Sequence, residues 1–203
     1  MRWFFAWLFM VVGGSALASE KFLIPENNPK PVYPRMLQRA GITGEVKVSF
    51  IVRADGSVGD ITIRESTHPD LAEAVRVAIM QWRFKPWVVE GEKPEEQEIV
   101  APMIFHLDEQ PLHINQWLKA VKCRAVTDSL GNMSEFDWVD SEIFVYTRAY
   151  LSNSINRRQL SDEERLAMIA KMNKRVPMIV RSCRENPAQE FMSLLPVEIR
   201  ELL

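Results

Sequence analysis

Val46, Val48, Phe50 and Val52 alternate with Glu45, Lys47 and Ser49, the period of a strand with one buried face and one wet face. Asp55-Gly56 follows, the residue pair preferred in a two-residue β-hairpin turn, and Val58, Ile61 and Ile63 carry the returning strand. The step from Val58 to Ile61 is odd and passes Gly59, which predicts a β-bulge there. After Pro69 the period changes. Leu71, Ala74, Val75, Ala78, Ile79 and Trp82 fall on one face of an amphipathic helix, with Asp70 and Glu73 in its first turn. Trp82-Arg83-Phe84-Lys85-Pro86 ends it, because proline cannot continue the ladder.

A loop rich in Glu90, Glu92, Glu95, Glu96 and Glu98 is read as a solvated connection. Beyond it, Ile99, Ala101, Met103, Phe105 and Leu107 form one face of a third strand. Pro102 lies inside that strand and has no N–H for a ladder, so the strand is expected at a sheet edge. Ahead of the hairpin, Tyr33-Pro34, Met36, Leu37 and Ala40 suggest a short helix entered through proline and ended by Gly41. Together these elements predict a unit that mixes strand and helix over 32–108.

Residues 110–203 read as an all-helical C-terminal domain. Ile114, Trp117, Leu118, Val121 and Ala125 form one stripe, and Val139, Ile143, Tyr146 and Tyr150 another. Ser161-Asp162-Glu163-Glu164 is a capping box that starts a helix, and Pro177 is expected to break or kink it. Pro187 and Pro196 punctuate two further short helices. The two domains are expected to meet near Asp108–Pro111. A chain of 203 residues with 47% hydrophobic and 26% charged residues has the composition of a folded protein. Its formal charge of −2 offers no basic surplus for a phosphate backbone, so no nucleic-acid partner is expected.

Arg2 and the uncharged run from Trp3 to Val12, then Gly13-Gly14-Ser15-Ala16-Leu17-Ala18, make residues 1–18 a signal peptide by pattern, with cleavage between Ala18 and Ser19. The uncharged stretch is shorter than the ~20 residues a spanning helix needs. Cleavage gives an exported, periplasmic protein with a short linker over 19–31; retention gives an inner-membrane anchor facing the periplasm. Export makes Cys123 and Cys183 a disulfide candidate, the alternative being two separate buried thiols. Neither sits in a C-x-x-C motif.

The series Pro31-Val32-Tyr33-Pro34, Gly44-Glu45-Val46-Lys47-Val48-Ser49-Phe50, Asp55-Gly56-Ser57-Val58, Trp82-Arg83-Phe84-Lys85-Pro86 and Val100-Ala101-Pro102-Met103-Ile104-Phe105 resembles the TonB C-terminal domain family over about residues 27–107. The resemblance implies an α+β fold, a small three-stranded antiparallel sheet packed on a helix, which agrees with these periods, and a domain that captures an extended partner segment by adding it to the edge of the third strand. It places the docking edge at Val100, Pro102, Ile104 and His106, with Tyr33 and Pro34 nearby and Lys30 at a partner-facing polar position. The implied partner is an extended segment of an outer-membrane receptor or of another periplasmic protein, with homodimer formation through the same edge as a further option. The implied activity is TonB-type transport across the outer membrane. The departures from a force-transmitting member are the spacer, only fourteen residues from Ser19 to Val32, and the added helical half. A soluble adaptor, or a helical ligand-binding module, are the alternatives outside transport.

No phosphate-binding loop, nucleophile elbow or zinc-protease motif occurs, so no catalytic residue and no cofactor are assigned. His106 and His113 with Asp108 and Glu109 match no standard metal spacing, and no metal site is assigned. Met168 and Met172, one helical turn apart, are read as core.

Overall fold

The structure is a computed structural model that describes residues 22–107, 113–153 and 160–203. The expected signal peptide, its Ala18/Ser19 junction and the Asp108–Pro111 junction lie outside the described residues. Among the described residues no helix is long and apolar enough to cross a membrane.

The α+β part contains β1 (Pro25–Asn27), α1 (Arg35–Ala40), β2 (Gly44–Arg53), β3 (Val58–Ser66), α2 (Pro69–Ile79), β4 (Arg83–Phe84) and β5 (Glu96–Phe105). The main sheet is antiparallel in the order β3-β2-β5, so the alternating strand is central and β5 is an edge. Val46, Val48, Phe50 and Val52 are all essentially inaccessible and face α2, whose Leu71, Val75 and Ile79 meet them. Burying each such side chain contributes about 1.5–3 kcal/mol, which is what holds helix to sheet. Helix α2 starts where its sequence predicts, with Pro69 at its first turn and His68 as N-cap; Nδ1 of His68 accepts from the Asp70 amide at 3.2 Å. It stops at Ile79, a turn short of Trp82, which instead packs its indole edge-on against Phe50.

Several local expectations are corrected. The Asp55-Gly56 connection is not a two-residue turn. Only Gly56 has positive φ, and the Gly56 amide donates to the Arg53 carbonyl while the Ser57 carbonyl accepts from the Arg53 amide. Gly56 is required by close approach as well as by its φ of 82°, because a Cβ there would lie 2.0 Å from the Phe84 carbonyl oxygen. The bulge near Gly59 is present, between the Ser49–Thr62 and Ile51–Gly59 pairs, and a second irregularity separates Lys47–Glu65 from Val48–Ile63. Strand β5 begins at Glu96, not Ile99. Glu96 and Glu98, read as loop, belong to the ladder and pair with Arg53 and Arg64 at 3.0 and 2.6 Å. The expected linker also carries structure, since Pro25–Asn27 pairs with Arg83–Phe84 in a two-stranded sheet.

The second half contains α3 (Ile114–Ala120), α4 (Cys123–Leu130), a 3₁₀ turn (Glu135–Asp140), α5 (Glu142–Leu151), α6 (Asp162–Glu185), a second 3₁₀ turn (Phe191–Leu194) and α7 (Val197–Leu202). The stripe from Ile114 to Ala125 is divided, because Val121 is extended and ends α3. Helix α6 opens on the capping box, with the Ser161 hydroxyl accepting from the Glu164 amide and the Glu164 carboxylate accepting from the Ser161 amide. Pro177 does not end it; the helix runs through to Glu185. Packing of Val176, Ile179, Val180 and Cys183 into the helical core on both sides of the proline outweighs the one lost ladder bond. Met172 is fully buried in that core and Met168 packs against it.

The buried apolar side chains fall into two clusters, one around Phe50 between α2 and the sheet, the other around Phe144, Ile179 and Phe191. The structure joins Cys123 to Cys183 in a disulfide, with Cα atoms 4.6 Å apart and both residues inaccessible, tying α4 to α6.

Candidate functional site

Strand β5 pairs with β2 in one unbroken register from Gly44–Phe105 to Arg53–Glu96, with Pro102 opposite Lys47. A proline is compatible with an uninterrupted antiparallel ladder only where its nitrogen points away from the partner strand. That fixes the phase of the whole edge. The backbone groups of residues 98, 100, 102 and 104 point to the open side, and those of 99, 101, 103 and 105 bond to β2. The side chains follow the same period. Ile99, Ala101, Met103 and Phe105 lean to the core, whereas Val100 and Ile104 are 50% and 56% exposed.

Alongside this edge is a cleft of about 560 Å³ lined by Lys30, Pro31, Tyr33, Pro102, Met103, Ile104, Phe105 and His106. Five of the residues predicted from sequence, Lys30, Tyr33, Pro102, Ile104 and His106, therefore stand together. Val100 lies further along the same strand and does not line the cleft. Pro34 faces the other way, into a second depression of about 410 Å³ between the lead-in segment and α2.

The wall opposite β5 is held by specific contacts. The Trp82 indole N–H donates to the Pro29 carbonyl at 2.9 Å, and the lead-in is further fixed by the β1–β4 pairing behind it. The Tyr33 hydroxyl donates to the Ile42 carbonyl at 2.6 Å, and its ring meets Phe105 edge-on with centroids 5.2 Å apart. Tyr33 is thus amphipathic in place: its ring closes the core end of the cleft and its hydroxyl satisfies a turn carbonyl. Pro31 and Pro34 restrict the backbone between these anchors, so the wall is set before anything enters.

Sequence reasoning missed what lies behind the wall. Arg35 and Arg39 on α1 pair with Asp137 and Asp140 of the first 3₁₀ turn; Arg39 reaches both Asp140 oxygens at 2.8 Å. The Arg39 guanidinium also lies over the Phe136 ring, 4.5 Å from its centroid. Burial works against the charge on Asp140, but hydrogen bonds from Arg39 and Arg35 outweigh it and hold the carboxyl below its ordinary range. Asp137 is lowered too, chiefly by the Ser134 hydroxyl and then by Arg35. The signal available in the sequence was the doublet of arginines at i and i+4 on a short helix; its partners are about a hundred residues away.

Residues 29–107 match the family model described as Gram-negative bacterial TonB protein C-terminal. The chain is 47% identical over 62 residues to Protein TonB of Pseudomonas aeruginosa, covering 30% of this chain and 18% of that one. It is 54% identical over 39 residues to Protein TonB of Helicobacter pylori, covering 19% and 14%. The solution structure of the Pseudomonas aeruginosa TonB C-terminal domain aligns with 34% identity and a TM-score of 0.39, covering 46% of this chain and 95% of that one. The α+β half of this protein is a domain of the TonB C-terminal family. The chain spans well under two thirds of the length of the curated relatives it matches.

Proposed function

We propose that this protein takes up an extended segment of a partner as an added strand along the open edge of β5, in TonB-type transport across the outer membrane. The observation that carries this reading is the coincidence of a free strand edge with a cleft beside it. Val100 and Ile104 present outward N–H groups, residues 100, 102 and 104 present outward carbonyls, and the Lys30–Tyr33 wall stands across from them. Backbone bonds along the edge give affinity for any extended chain. The cleft gives selectivity through the alternate side chains that would drop into it. Pro102 removes one donor from the middle of the edge, which weakens indiscriminate pairing with other edges.

In this reading the chain is exported through residues 1–18, works in the periplasm, and is a binding protein rather than an enzyme. Its partner is the extended segment of an outer-membrane receptor. The apolar run from Trp3 to Val12 supports a second form of the same reading, in which the segment stays as an inner-membrane anchor of an energy transducer. N-terminal sequencing of the exported protein separates the two: a start at Ser19 supports the soluble form, a start at Met1 the anchored one.

The test is photocrosslinking in cells with reactive side chains placed at Val100 and Ile104, and at Thr62 on the opposite edge strand as control. Crosslinks from the two β5 positions to an outer-membrane receptor are expected. Crosslinks only between copies of the chain would replace the receptor with a homodimer. Crosslinks from Thr62 and none from β5 would overturn strand addition at this edge.

A further inference from the structure

We propose that the helical half is the brace that sets the shape of the β5 cleft, with Arg165 and Asn173 as positioning residues acting through Gly41, Ile42 and Tyr33. The binding role of that cleft rests on the strand-addition reading; the relay of contacts to it does not. Helix α1 is only six residues long, too short to persist without outside support, and its last turn ends against the helical half. The Asn173 amide donates to the Arg39 carbonyl at 2.7 Å. The Arg165 guanidinium donates to the Gly41 carbonyl at 2.6 Å and to the Ser152 hydroxyl at 3.3 Å, in a bond closed off from water. Both donors come from α6, and both satisfy carbonyls at the C-terminal end of α1, where a cation is also favoured by the helix dipole.

Arg165 is 2% exposed, and Asp162, itself mostly in solvent, is its ion-pair partner at 3.0 Å. Holding a guanidinium this deep is costly unless its donors are used. Here Nη1 is used on the Gly41 carbonyl of the other half and on Ser152, and Nη2 on Asp162, while Nε has no hydrogen-bond partner among the described residues. From that point the contacts continue without a gap. Ile42 follows Gly41, its carbonyl accepts from Tyr33, and the Tyr33 ring rests on Phe105 at the end of β5. A displacement of Gly41 therefore moves the atom on which Tyr33 is anchored, and Tyr33 is one wall of the cleft. This gives the helical half a role: it is a permanent intramolecular partner that keeps the groove in one shape.

The experiment uses the full chain without any partner, so its outcome is independent of the crosslinking result. Asn173 is partly exposed, and Asn173→Ala removes one donor together with the Oδ1 that accepts from Arg148 at 3.3 Å; Arg165→Gln removes the other donor and leaves that acceptor in place, so the effect common to both variants is the one read. Amide exchange at Gly41 and Ile42 is expected to rise about tenfold in each, the change that corresponds to a lost hydrogen bond of this kind. The NMR resonances of the Tyr33 and Phe105 rings are expected to shift, while those of Trp87, at the far end of the sheet, stay in place. In a Tyr33→Phe background, which lacks the hydroxyl link, Asn173→Ala should no longer shift Phe105. Faster exchange at Gly41 with no change at Phe105, or a Phe105 shift that survives Tyr33→Phe, would overturn the relay.

Discussion

Ile169 on α6 places its Cδ1 2.4 Å from the point where a Cβ on Gly41 would stand. The two halves of the chain thus meet at a residue without a side chain, and Gly41 also holds a φ of 77° as the cap of α1.

Gly41→Ala should therefore destabilise the protein twice, by left-handed backbone strain and by collision, for a total of about 2–4 kcal/mol. Ile169→Val removes the Cδ1 atom. The double variant should recover the collision part and leave the strain, which urea denaturation of the single and double variants would separate. Equal stability of Gly41→Ala with and without Ile169→Val would show that crowding plays no part.

Asp140 gives a pH dependence with a definite sign. Its carboxyl titrates below the ordinary value of 3.8 in the folded chain, so the folded state binds fewer protons than the unfolded state in that range. The stability it contributes is complete above about pH 5 and is lost as the pH falls through the lowered value. Denaturation midpoints of the wild type and Asp140→Asn should differ by a constant amount near neutrality. That difference should shrink on acidification below about pH 4. A difference independent of pH would mean that the charge of Asp140 is not what Arg39 and Arg35 respond to.

The Cys123–Cys183 bridge closes a segment of 60 residues, and its two ends are buried between α4 and α6. Replacing both by Ser should cost about 2–4 kcal/mol and make the stability of the chain insensitive to reductant. The loss should be read first in the helical half, by the near-UV signal of Trp138, which lies in that core. A wild-type protein whose stability is unchanged by reductant would rule the bridge out as a contributor.

Pro102→Ala restores an N–H to the open side of β5. It should leave the stability of the monomer within about 0.5 kcal/mol, because the ladder to β2 is untouched, and should strengthen pairing at the edge. Sedimentation of the purified variant is the measurement, with increased self-association the expected outcome. A gain in monomer stability of several times that size would mean the proline nitrogen faces β2.

The α+β half was legible because its signals are local and periodic. The alternation of Val46, Val48, Phe50 and Val52, the shift of period at Leu71, and a proline inside the third strand point to a sheet, a covering helix and an edge, and the structure shows all three. The cleft was legible in part. Lys30, Tyr33, Pro102, Ile104 and His106 converge, whereas Pro34 turns towards α2, an orientation decided by the packing of Tyr33 on Phe105. Boundaries fared less well where charge was the guide. Glu96 and Glu98 look like loop residues until Arg53 and Arg64 are brought beside them.

Pattern along the chain determines which face of a strand or helix seeks the core, because burial is set by each residue's own side chain and its period. It also determines where a capping box starts α6, since Ser161 and Glu164 satisfy one another within a single turn. The continuation of α6 through Pro177, the pairing of Pro25–Asn27 with Arg83–Phe84, and the hold of Arg165 and Asn173 on α1 were decided by tertiary structure alone. In each, a backbone group or an apolar face is satisfied by a residue far away in sequence. No local propensity encodes such a partner; the folded chain supplies it by bringing the two together.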